Sequence, residues 1–206
     1  MRRLIEATDL GYRRNGEPVF EAVDLALEAG TALVIQGDNG AGKTTLLRLL
    51  AGILTPGGGR IERTEEPMFL GHAPAVKTDL TCRENLRYEQ QLGRSSTAIA
   101  SALIQVGLAG MGARPARTLS AGQTRRLGLA RLLVRRSKLW LLDEPYASLD
   151  VQGCRQVDQL IHQHLSSGGG AILSTHLQQP RLEYPVSTLT VIGALRQSSL
   201  RSDEDA

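Results

Sequence analysis

Apolar residues cluster in three short, nearly continuous runs: Leu33-Val34-Ile35, Leu139-Trp140-Leu141-Leu142 and Ala171-Ile172-Leu173. Runs of this length without alternation suit strands buried on both faces, as in a parallel sheet. Each is followed by a loop rich in Gly, Ser, Thr or acids and then by helical spacing. Strand, loop and helix in repetition predict an α/β fold with a mainly parallel core sheet and helices on both faces. From Leu4 to Ala26 the pattern alternates instead and is broken by the turn signal Arg14-Asn15-Gly16, which predicts an antiparallel β region at the N-terminus. Between His72 and Arg136 the strand signal vanishes. Thr81-Cys82-Arg83-Glu84 has the form of a capping box, and residues 96–106 and 123–134 carry helical spacing. The expected organisation is one domain over 1–206: a core of 1–71 and 137–192, an inserted helical subdomain at about 72–136, and a frayed tail over 193–206.

Composition narrows the class. At 206 residues, 41% hydrophobic and 22% charged, the chain can bury one ordinary α/β core. No apolar run reaches the roughly 18–20 residues that a bilayer-crossing helix needs. Met1-Arg2-Arg3 is interrupted by Glu6 and Asp9 before any apolar stretch, so it does not read as a secretory signal. Cys82 and Cys154 have no metal spacing and read as reduced thiols of a cytosolic protein. A net charge of +3 is too small to argue for nucleic acid as a partner. Arg125, Arg126, Arg131, Arg135 and Arg136 spread over one helix and predict a solvated Arg-rich face. His162 and His164 are expected on a solvated helix surface.

The chemistry begins after the first core strand. Gly37-Asp38-Asn39-Gly40-Ala41-Gly42-Lys43-Thr44 matches GxxxxGK[ST] in full, follows a strand and opens an apolar helix at Thr45. Its glycines let successive N–H groups curl around phosphate oxygens, and the helix N-terminus adds partial positive charge. Lys43 is expected to reach the β- and γ-phosphates, and the Thr44 hydroxyl to ligate Mg²⁺. Leu139 to Leu142 then run into Asp143-Glu144, two acids at the carboxyl end of a strand, where ligands of parallel sheets bind. Asp143 is expected to hold Mg²⁺ through water, and Glu144 to polarise an attacking water as general base.

Those two motifs fix only nucleotide binding. Leu119-Ser120-Ala121-Gly122-Gln123, opening a helix, resembles the signature motif of ATP-binding-cassette proteins, with Ala121 where Gly is commoner. The resemblance covers about residues 4–192. It implies a P-loop NTPase fold, MgATP as substrate and cofactor, and a homodimer in which Ser120, Gly122 and Gln123 contact the γ-phosphate bound to the other protomer. By the same resemblance Tyr12 stacks on adenine, Asp150 in Ala147-Ser148-Leu149-Asp150 crosses to the partner, and His176 in Ser174-Thr175-His176 is the switch histidine aligning water and Glu144. His72 stands where the family places a glutamine that bridges to the nucleotide.

Within the family, four features resemble the ATP-binding subunits of cytochrome c biogenesis transporters, the haem-exporter type. They are the short chain, Gly71-His72, the run Lys77-Thr78-Asp79-Leu80-Thr81 with Glu84-Asn85-Leu86, and Arg125-Arg126 after the signature. That resemblance implies a multispanning membrane subunit and other cytochrome c maturation factors as partners. It also implies a peripheral location on the cytoplasmic face of a bacterial inner membrane, and a role in haem export or release. Two other readings are a transporter subunit for a different exported substrate, which shares every catalytic residue, and a soluble cassette ATPase of translation or DNA repair. The soluble types carry two cassettes or a long coiled coil, which this length does not accommodate.

Overall fold

The computed structural model describes residues 2–175 and 185–194. Its centre is a five-stranded, wholly parallel sheet in the order β10-β5-β9-β8-β7, made of β5 (Ala32–Gln36), β7 (Pro67–Leu70), β8 (Leu139–Asp143), β9 (Gly170–Ser174) and β10 (Val186–Thr190). Every residue of β8 and β9 is buried. This is why the sequence shows unbroken apolar runs there: both faces of the sheet are covered. Along the strands, alternate residues serve two different cores. Val34, Leu142 and Leu173 face one cluster, while Ile35, Leu141 and Ile172 face the other.

The second of these cores is closed by a three-stranded antiparallel sheet, β4-β1-β6, and by the helix that follows the first core strand. The strands are β1 (Arg3–Gly11), β4 (Val23–Glu28) and β6 (Gly58–Arg63), and the helix is α1 (Lys43–Leu50). In β4 burial alternates strictly over Val23, Leu25 and Leu27, the signature of a sheet wet on one side. Between β1 and β4, β2 (Arg13–Arg14) and β3 (Glu17–Pro18) pair around Asn15-Gly16, both at positive φ.

The first core is built by α2 (Cys82–Leu92), α3 (Ile99–Gln105), α4 (Ala121–Arg135) and α5 (Val151–Ser166). Strands are absent between β7 and β8, as the pattern predicts. The Thr81–Glu84 capping box forms in both directions, Thr81 Oγ1 accepting from Glu84 N at 3.2 Å and Thr81 N donating to Glu84 Oε2 at 2.8 Å.

Two surface expectations are overturned. Arg125 is buried, at 3% exposure, and Arg131 lies against the buried carboxylate of Glu89 and the Pro74 carbonyl, so α4 does not present a solvated arginine face. Their charges are internal because each guanidinium has carbonyl or carboxylate acceptors waiting in neighbouring loops, which helical spacing alone does not reveal. His164 is buried as well. Its ring stacks on Trp140 with centroids 3.8 Å apart and planes 5° from parallel, and its Nε2 lies 3.3 Å from the Gly170 carbonyl.

Candidate active site

Register brings the chemistry to one edge. Ile35 pairs with Ser174, Ser174 with Asp143, and Leu70 with Leu142, so the strand ends come out side by side. The loops that leave them carry Gly37–Thr44, Asp143-Glu144 and Gly71-His72. A cleft of ≈ 470 Å³ opens there, lined among others by Asn39, Gly40, Gly42, Lys43, Thr44, Thr45, His72, Asp143 and Glu144.

The loop's conformation depends on glycine at two places. Gly37 sits at φ 144°, where a Cβ would come within 2.4 Å of the Val191 carbonyl. Gly42, at φ 103°, is the N-cap of α1, and a Cβ there would meet Phe20 Cδ1 at 2.7 Å. Gly42 has no side chain with which to cap the helix, so no side-chain hydrogen bond closes the N-terminus of α1. Lys43, 7% exposed, donates from Nζ to the carbonyls of Gly37 at 2.8 Å and Asp38 at 2.9 Å. An ammonium has three donors, so one remains for an anionic oxygen. Ala41 N donates to the Asp38 carbonyl at 3.1 Å, which completes the turn.

Thr44 Oγ1 lies 2.9 and 3.1 Å from the two carboxylate oxygens of Asp143, joining residues far apart in sequence. Asp143 is 2% exposed and also accepts from Ser174 Oγ at 2.8 Å. A hydroxyl and a carboxylate in contact beside a loop of amides form a hard oxygen pair. Mg²⁺ is commonly held by so few protein oxygens, its other positions being filled by water and phosphate. Among the described residues no group of three or more His, Cys, Asp or Glu could hold a metal on its own. The residues present therefore fit a magnesium–triphosphate.

Glu144 follows at φ 51°, a left-handed conformation that costs a non-glycine residue roughly 1–2 kcal/mol. Its N–H lies 3.1 Å from Ser174 Oγ and 3.2 Å from the Ser174 carbonyl. Tyr12 is half-buried against the second core at the base of the β2–β3 hairpin, with its carbonyl accepting from Val19 N at 2.9 Å. It is not among the lining residues, whereas its neighbours Arg14 and Val19 are.

Ser120, Gly122, Gln123 and Asp150 line a different cleft of ≈ 410 Å³. Ser120 and Gln123 close a capping box on α4, Ser120 Oγ accepting from Gln123 N at 3.3 Å and Ser120 N donating to Gln123 Oε1 at 3.1 Å. Asp150 caps α5 through Gly153 N at 2.7 Å and pairs with Arg126 at 3.2 Å. His176 and the tail from residue 195 lie outside the described residues.

Sequence reasoning missed three contributors. Ser174 orients Asp143, and its signal was the paired register of β8 and β9. Arg14 lines the phosphate cleft from a hairpin read only as a turn. Arg125 holds the loops behind the cleft, and nothing in its helical spacing announced that.

Known proteins show the same family and fold. Residues 20–147 match the ABC transporter family model. Over 185 residues, 84% of this chain and 86% of the relative, the sequence is 48% identical to the cytochrome c biogenesis ATP-binding export protein CcmA of Xanthomonas axonopodis pv. citri. Over 202 residues, 92% of this chain and 98% of the relative, it is 39% identical to the protein of the same description from Salmonella typhi. A solved ATP-binding subunit of an ABC transporter superposes with a TM-score of 0.84, covering 92% of this chain and 86% of the other at 22% identity, a likeness of fold alone.

Proposed function

As the chain belongs to the ABC transporter family, we propose that it is the ATP-hydrolysing, energy-coupling subunit of a membrane transporter serving cytochrome c biogenesis, in haem export or release. The observation that carries the catalytic part is the contact of Thr44 Oγ1 with the Asp143 carboxylate at the mouth of the phosphate loop. Lys43 binds the β- and γ-phosphate oxygens, and the glycine-loop amides from Gly37 through Thr45, with Asp38, Asn39 and Ala41 shaping the turn, surround the rest. Thr44 and, through water, Asp143 would hold Mg²⁺, which when bound would neutralise charge developing on the phosphates. Glu144 takes the proton of the attacking water, His176 aligns that water, and His72 touches the γ-phosphate side. Tyr12 stacks on the adenine.

The signature residues Ser120, Gly122 and Gln123, with Asp150, line a separate cleft in this chain, which supports a second grip supplied across a homodimer. One nucleotide held from both sides closes two protomers, and loss of the γ-phosphate lets them part. On this reading the membrane spans belong to a partner subunit, and this chain is peripheral on the cytoplasmic side of the bacterial inner membrane; among its described residues no helix is long and apolar enough to cross a membrane. Other cytochrome c maturation factors complete the assembly.

The test is Glu144→Gln. This variant is expected to bind MgATP like the parent and to form an ATP-dependent dimer by light scattering, while turnover falls by about 10²–10⁴-fold. Turnover near that of the parent removes Glu144 as the base.

A further inference from the structure

Arg125 belongs to α4, four residues into the helix that Ser120 caps, yet its guanidinium ends behind the nucleotide cleft. It donates to five backbone carbonyls, two in the loop after β7 and three at the end of β8 and in the loop that follows it. Nη1 reaches Gly71 at 2.7 Å and His72 at 3.2 Å; Nη2 reaches Asp143 at 2.6 Å and Glu144 at 2.5 Å; Nε reaches Pro145 at 3.3 Å. The side chain is 3% exposed, so its charge is held inside by these dipoles and by the two carboxylates beyond them. Removal from water pulls its affinity for the proton down, and the nearness of Asp143 and Glu144 pulls it back up.

The acceptors matter more than their number. Glu144 holds a left-handed backbone, which persists only where surroundings over-determine it. Its N–H is fixed by Ser174 and its C=O by Arg125, so both sides of the strained residue are clamped. The same planar fork ties that backbone to the carbonyl of His72, which lines the cleft from the other strand end. Arg125 thereby joins the signature helix, the loop after β7 and the loop after β8.

We propose that Arg125 is a positioning residue for hydrolysis: it sets the Glu144 backbone and the His72 loop together, in register with the signature helix. This rests on the reading of Glu144 as the base. A lysine at 125 supplies one nitrogen in place of a fork and cannot serve both loops at once. Ordering of Glu144 is then lost while the phosphate loop, which lies outside the set of carbonyls Arg125 binds, keeps its grip.

The experiment is steady-state hydrolysis and equilibrium MgATP binding for the full-length chain in complex with its membrane subunit. It compares the parent, Arg125→Lys, Glu144→Gln and the double variant. Arg125→Lys is expected to keep the parent's MgATP affinity within about threefold and to lose roughly tenfold or more in kcat. In the Glu144→Gln background the lysine is expected to change kcat little further, because both substitutions act through one carboxylate. As a second variant, Arg125→Ala should recover part of its kcat in millimolar guanidinium while the parent does not respond.

A kcat for Arg125→Lys equal to the parent's overturns the proposal. So does an equal, multiplicative loss in both backgrounds, or a fall in affinity that matches the fall in kcat. Failure of both Arg125 variants to fold by circular dichroism makes the residue structural only and overturns it too. A parent that does not hydrolyse ATP, or a Glu144→Gln variant that does so normally, breaks the underlying reading instead, and the two failures are told apart by those controls.

Discussion

Two helices point their N-termini into the two clefts, and they are capped in opposite ways. At α1 the cap is Gly42, left-handed and without a side-chain acceptor; at α4 it is Ser120, whose hydroxyl and backbone exchange hydrogen bonds with Gln123. Each end has amides without intrahelical partners. The sequence of α1 leaves them to a ligand, whereas that of α4 supplies an acceptor of its own. The first end is therefore organised around something to be bound. The second is stable by itself, and under the proposed two-sided grip it shares or exchanges its cap with the partner's nucleotide.

The sharpest way to break that contrast is Lys43→Ala. The ammonium tied to Gly37 and Asp38 is the one cation among the phosphate-loop residues 37–45. Its removal is expected to weaken MgATP binding by roughly two orders of magnitude or more in a titration with a fluorescent analogue, because charge-assisted contacts to phosphate are the strong ones. An affinity within threefold of the parent means that the open end of α1 does not depend on its lysine, and the distinction between the two clefts fails.

The segments proposed to hold the nucleotide were the most legible in the sequence. The glycine loop and Asp143-Glu144 follow buried strands directly, and spacing within a short segment carried the information. The parallel strands β5, β8 and β9 were equally readable, since burial on both faces leaves only apolar letters. What stayed hidden depends on contacts between distant segments. Arg125 and His164 look like ordinary polar positions on helices, and only the placement of the Gly71–His72 loop and of Trp140 turns them inward. Ser174 was read as part of a motif about His176, but its hydroxyl faces Asp143 across the sheet register. The likeness to a signature motif marked Ser120. It did not say that Ser120 would already be engaged by Gln123.

β8 repeats the contrast along its own length. Its C-terminal end delivers Asp143 to the cleft, while near its start Trp140 stacks on His164 away from any phosphate. Burial lowers the His164 pKa from 6.5 to about 4, the Gly170 carbonyl opposing that shift only in part. The unfolded chain thus binds a proton near pH 6.5 that the folded chain refuses until about pH 4. Stability from this group is fully present above about 6.5 and falls as pH drops through that window, at a slope approaching 1.4 kcal/mol per pH unit. His164→Phe keeps a ring against Trp140 and removes the titration. The difference in melting temperature between parent and variant should shift in the variant's favour from pH 7 to pH 4.5, with MgATP affinity alike in both. A difference that does not vary with pH excludes a buried neutral imidazole.

Ser120→Ala tests the self-capped end and is expected to have the smallest effect on the single chain. Loss of an N-cap acceptor costs about 1 kcal/mol, and Gln123 keeps its helix position, so the variant should fold with a melting temperature lower by a few degrees. MgATP affinity of the monomer should stay near the parent's, because Ser120 lines a cleft that shares no residue with the phosphate loop. ATP-dependent dimerisation, measured by light scattering in the Glu144→Gln background, should weaken, since under the proposed grip the hydroxyl removed is the one offered to the partner's nucleotide. The two readouts separate cap from grip. A stability loss with normal dimerisation leaves Ser120 as a cap alone. A loss of monomer affinity comparable to that of Lys43→Ala would place both helix ends on one nucleotide within a single chain, and the two-sided grip would have to be abandoned.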